Sequence, residues 1–99
     1  MAKSAREIYD EILEHVRKEG GAFSTWYSGI TSDIAKRVHG DHKVPMQNHW
    51  LITRRAASAN DARAIEEALL KLGFDGGPGG GDNTSDCVYC YKKTSITEP

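Results

Sequence analysis

The stretch Trp26-Tyr27-Ser28-Gly29-Ile30-Thr31-Ser32-Asp33-Ile34-Ala35-Lys36-Arg37 decides how this chain is read, because strand chemistry gives way to helix chemistry inside it. From Phe23 to Ile30 the residues are aromatic or β-compatible. Phe23, Thr25 and Tyr27 fall on one face and Trp26, Ser28 and Ile30 on the other, which predicts a strand. Ser32 and Asp33 then offer side-chain oxygens to free backbone N–H groups and predict a short helix carrying Ile34, Lys36, Arg37 and Val38. Gly40 closes that helix before the loop Asp41-His42-Lys43-Val44-Pro45.

Upstream, Ser4-x-x-Glu7 fits a reciprocal capping box. Ile8, Tyr9, Ile12, Leu13 and Val16 follow at helical spacing until Gly20-Gly21 ends the pattern. Downstream, Trp50-Leu51-Ile52-Thr53 reads as a second strand. Ser58 and Asp61 give another cap signal, and Ala62, Ile65, Leu69 and Leu72 predict a helix over Ala59 to Leu72, with Gly73 as its left-handed stop and Phe74 folding back on the last turn. The glycine run that follows cannot hold regular structure. From Cys87 to Lys93 the residues Cys87, Tyr89 and Tyr91 alternate with Val88 and Cys90, which predicts a third strand. The fold class is therefore α+β, a single small three-stranded sheet flanked by about three helices, with parallel or antiparallel pairing left open.

The 99 residues allow one domain, 1–99, with disordered ends expected at 1–3 and 94–99 and a Gly-rich loop over 75–86. A mean hydropathy of -0.57 and the lack of a long apolar run argue for a soluble protein, and with no signal-peptide pattern at the N-terminus the expected location is cytoplasmic. The formal charge of -1 means that nucleic acid would have to be held by a local basic patch, for which Arg37, Arg54, Arg55 and Arg63 are the candidates. Cys87 and Cys90 lie too close in sequence to staple the domain usefully.

With Tyr27, Gly29 and Thr31 followed by Arg37, eight positions after the glycine, the segment resembles the second half of the GIY-YIG nuclease signature. The stretch Ala62-Arg63-Ala64-Ile65-Glu66 is similar to the family's metal-binding helix, and the likeness spans roughly residues 26 to 72. The resemblance implies a DNA endonuclease-like domain in which Glu66 holds one Mg²⁺ or Mn²⁺, Arg37 neutralises the phosphate, and Tyr27 orients or deprotonates the attacking water. Gly29, Thr31, Arg54 and Arg55 would line the substrate, with His39 or His42 assisting at the phosphate. Each type suits its post: a carboxylate is a hard-cation ligand, a guanidinium fits phosphate oxygens as a planar fork, and a phenol near a free pKa of ~10 needs neighbouring charge to act as a base.

The family's first motif, a Gly-Ile-Tyr strand just upstream, has no counterpart in Gly21-Ala22-Phe23. The C-terminal strand Cys87-Val88-Tyr89-Cys90-Tyr91-Lys92 reads like that missing strand, as a circular permutation would produce, and Tyr89 then takes the role of the absent tyrosine. Family members usually borrow specificity from an attached DNA-binding domain, so a partner protein or weak specificity is implied here. The rival reading is a catalytically inactive relic that keeps the fold as a binding or interaction module. A zinc site from His39, His42, Cys87 and Cys90 is disfavoured, because residues three apart on a regular strand point to opposite faces. His15 and His49 read as surface or structural residues.

Overall fold

The computed structural model describes residues 4–42, 50–76 and 84–93, and the expected disordered ends fall outside that set. Helix α1, Ala5–Glu19, starts as its sequence dictates: Ser4 Oγ accepts from the Glu7 N–H, and the Glu7 carboxylate accepts from the Ser4 N–H. It buries Ile8, Ile12 and Val16.

Strand β1 covers Trp26–Thr31. The expected strand start at Phe23 is corrected, because Phe23–Thr25 forms a single 3-10 turn. There the Thr25 hydroxyl donates to the Ala22 carbonyl at 2.7 Å, and Phe23 leaves the sheet to stack on Phe74. Strand β2 is Leu51–Arg55, running two residues beyond the expected Thr53, and β3 is Cys87–Lys92. Helix α2, Ala59–Lys71, begins at Ser58, whose side chain accepts from the Asp61 N–H. It ends in a Schellman turn: Phe74 N–H donates to Leu69 O and Gly73 N–H to Leu70 O, with Gly73 at φ 110°.

The sheet order is β1-β3-β2, and both pairs are antiparallel. The C-terminal strand is thus central, and the open question of pairing direction is answered. Asp75, expected to lie in loop, instead bridges Tyr27 at the free edge of β1, and its carboxylate meets Lys93 Nζ at 2.8 Å. Residues 77–83 of the Gly-rich segment lie outside the described residues.

Alternation along the strands sorts the molecule into layers. Trp26, Ile30, Ile52, Val88 and Cys90 face α1 and α2, where Ile8, Ile12, Val16, Ala62, Ile65 and Leu69 complete the main core. Burying an aliphatic side chain of this kind contributes about 1.5–3 kcal/mol, and this layer holds most of them. The opposite face carries a second cluster, Tyr27, Tyr89 and Tyr91 with Val38, partly covered by Ile34 and Leu51. Its cover is a short π-helix, Ala35–Asp41, which the sequence predicts as a helix closed by Gly40 but which runs through that glycine. No helix among the described residues is long and apolar enough to cross a membrane.

Candidate active site

The tyrosine face is where separated parts of the chain meet. Tyr27 lies opposite Tyr91 and Gly29 opposite Tyr89, so period-two alternation puts the three rings and the bare glycine on one side of the sheet. The rings stack in shallow steps, with centroids 5.4 Å apart for Tyr27 and Tyr91 and 6.5 Å for Tyr27 and Tyr89.

The Tyr89 hydroxyl is the common point. His42 Nε2 lies 2.9 Å from it, and the Arg37 guanidinium, on the π-helix, is near enough to lower its pKa. The Glu66 carboxylate, on α2, is close enough for its charge to act on the same hydroxyl. Phenol, guanidinium and carboxylate, distant in sequence, are thus within electrostatic reach of one another. Tyr27 belongs to this group through its ring contacts and its effect on the Tyr89 proton.

Local backbone geometry explains how Arg37 and His42 both reach inward. Thr31 Oγ1 accepts from the Asp33 N–H at 3.0 Å and donates to the Asp33 carbonyl, turning the chain out of β1. The Asp33 carboxylate then accepts from the Lys36 N–H. At the far end the His42 N–H donates to the Arg37 carbonyl, five residues back, and this wider turn carries His42 under the tyrosines. Its ring sits 4.9 to 5.5 Å from those of Tyr27, Tyr89 and Tyr91.

The electrostatics follow from burial. Tyr89 is 1% exposed, and loss of hydration pushes its pKa up to about 12 in spite of Arg37, which pulls the other way. Burial also raises Tyr91, with Tyr27 and Tyr89 adding to the effect. Glu66 is 5% exposed; burial raises its carboxyl pKa, Arg63 opposes that rise, and Glu67 adds to it. Among the described residues no hydrogen bond or ion pair satisfies that carboxylate, which leaves its oxygens open to a cation. A single carboxylate, without a cage of further ligands, suits a hard ion that keeps several waters and takes a substrate phosphate oxygen.

The other sequence candidates divide. What approaches Gly29 is the ring of Tyr89, not a substrate, and the Thr31 hydroxyl is engaged in the turn it shapes. His42 is 4% exposed, and its Nε2 addresses the Tyr89 hydroxyl. Arg54 points away: its neighbour across the sheet is Val88 of the main core, and its guanidinium is 2.7 Å from Glu11 of α1. Arg55 shares the tyrosine face, exposed at its end and paired with Asp86 at 3.5 Å, so Arg54 and Arg55 do not form one basic surface. Cys90 is buried in the main core while Cys87 lies half-exposed beside Arg55, on opposite faces as their spacing requires. Tyr91 and the inward turn of His42 are additions to the site. Period-two alternation from Tyr89 places Tyr91, whereas nothing in the sequence marks the π-turn.

Comparison with protein-family models, with curated proteins and with solved structures finds no match.

Proposed function

We propose that this domain is a GIY-YIG-like nuclease that hydrolyses phosphodiester bonds of nucleic acid, DNA by family habit, with one divalent ion, Mg²⁺ or Mn²⁺. The observation that supports the reading best is that the charges of both Arg37 and Glu66 act on the Tyr89 hydroxyl, since a site for a cation and an anionic ester needs a guanidinium and a carboxylate in one neighbourhood. The central position of β3 next to β1 supports a permuted arrangement in which Tyr89 replaces the missing first-motif tyrosine.

Glu66 would hold the ion. When bound, it supplies Lewis-acid charge at the phosphoryl oxygens and a more acidic water. Arg37 is the half-buried cation that binds a non-bridging phosphate oxygen as negative charge grows. Tyr27, 9% exposed, is the most exposed of the three clustered tyrosines and would orient the attacking water. Tyr89 stands behind Arg37: at a pKa of about 12 only about one molecule in 10⁵ is ionised at neutral pH. Its role is to fix the guanidinium.

That closed setting also favours a second reading, an inactive relic that keeps the fold to bind a protein or nucleic acid. Plasmid nicking in Mg²⁺ or Mn²⁺ separates the two. Activity in the natural chain that disappears in Glu66→Ala supports the nuclease, whereas an equal background in both supports binding alone.

A further inference from the structure

We propose that Arg54 guards the free edge of β2, and that the strand it keeps out is the β2 of a second copy of this chain. Strand β2 has β3 on one side and, among the described residues, no strand on the other. Which backbone groups face the open side follows from the ladder. Lys92 N–H donates to the Trp50 carbonyl and Ala56 N–H to the Asp86 carbonyl, so the even-numbered residues turn their groups toward β3. Leu51, Thr53 and Arg55 therefore turn theirs outward.

At the middle of that edge one carbonyl is already taken. Arg54 Nη1 donates to the Thr53 carbonyl at 2.7 Å, while Nε of the same guanidinium donates to Glu11 Oε1 of α1 at 2.7 Å. A guanidinium has separate N–H groups for both bonds, and the anchor on α1 keeps it at the edge.

The position matters because an open edge is a template for another strand. Two copies of β2 can pair antiparallel about a two-fold axis through Thr53, which sets Leu51 of each copy opposite Arg55 of the other and uses every outward group. The capped carbonyl is the centre of that register. An added strand would lie ~4.7–4.9 Å away, so a nitrogen already 2.7 Å from the Thr53 oxygen competes for the acceptor and crowds the gap. Breaking the contact leaves an obstacle, since the two Arg54 side chains become diagonal neighbours on the α1 face and repel as like charges.

The tyrosine face takes no part, so the outcome does not depend on nuclease activity. Sedimentation velocity over a concentration series is the test: the natural chain should stay monomeric, and Arg54→Met, which keeps the apolar stem but loses donor and charge, should sediment faster as concentration rises. Adding Thr53→Pro should restore the monomer, because proline removes an outward N–H without breaking a bond to β3. Hydrogen exchange gives a second readout. The Thr53 amide should exchange fast in the natural chain and become protected at high concentration only in Arg54→Met. A monomeric Arg54→Met overturns the proposal, as does association that Thr53→Pro leaves unchanged, or a natural chain already paired through β2. Should Arg54→Met fail to fold, Arg54→Lys decides: it keeps the charge near Glu11 but has no planar fork to hold Thr53 as well, so weaker association is expected and none overturns the proposal.

Discussion

The ring of Tyr89 lies across its strand partner Gly29 so closely that a β-carbon on Gly29 would meet the Tyr89 hydroxyl and stand 2.5 Å from Cζ. Glycine is required at this point by side-chain packing, not by an unusual backbone angle. Gly29→Ala should therefore displace Tyr89, destabilise the fold by about 1–3 kcal/mol and weaken the Arg37 contact. Urea unfolding of a double-mutant cycle with Tyr89→Leu checks this. The glycine substitution should cost much less once the ring is gone, and equal costs in both backgrounds would show that the ring is not what position 29 accommodates.

The buried phenol makes stability fall at high pH. The Tyr89 pKa is about 12 in the folded chain and near 10.0 when hydrated, so the unfolded chain releases its proton first. The stabilising difference is intact below pH ~10 and disappears as pH rises through ~12, amounting to about 2–3 kcal/mol at most. Tyr91 shifts in the same direction. Absorbance titration of the folded chain should show delayed phenolate formation, with unfolding midpoints dropping over the same interval. Ordinary titration of every tyrosine would contradict the packed arrangement.

Much of this arrangement is legible in the sequence, and the reason is periodicity. Period two along Cys87 to Lys92 puts Tyr89 and Tyr91 on one face and Cys90 on the other, and helical spacing identifies Ile65 and Leu69 as core on α2, beside Glu66. Local rules stop where tertiary contacts choose. Phe23 leaves β-structure because Phe74 offers a stacking partner that lies 51 positions further along the chain. No local signal marks the π-turn, so His42, read as a loop residue, is found buried with its Nε2 2.9 Å from the Tyr89 hydroxyl. Arg54 and Arg55 look alike in sequence, but adjacent strand positions send one to Glu11 and the other to Asp86.

Glu66 should show function and stability in opposition. Burial raises its pKa above the ordinary 4.5, so the folded chain favours the protonated carboxyl. The contribution is fully favourable below that ordinary value and is lost as pH rises through the folded pKa, above which the buried carboxylate is disfavoured. In chelator at pH 7, Glu66→Gln should melt at a higher temperature than the natural chain, and the gap should close on acidification. The same variant should fail to nick DNA. A lower melting point at pH 7 would indicate that the carboxylate has a stabilising partner.

Arg37 and Arg54, two of the four arginines of the expected basic face, should separate cleanly by experiment. Arg54 forms a partly exposed ion pair with Glu11 across β2 and α1, and such pairs contribute no more than about 1 kcal/mol. Arg54→Ala should lower the urea midpoint slightly and leave nicking unchanged. Arg37 meets Tyr89 at the junction of the π-helix and the sheet, where a lysine would keep the charge but lose the planar fork. Arg37→Lys should hold nearly all of the fold stability and reduce kcat about 10²–10³-fold, the usual loss for a donor aimed at developing charge. Comparable losses from Arg54→Ala would move the substrate to the α1 side of the sheet and away from the tyrosines.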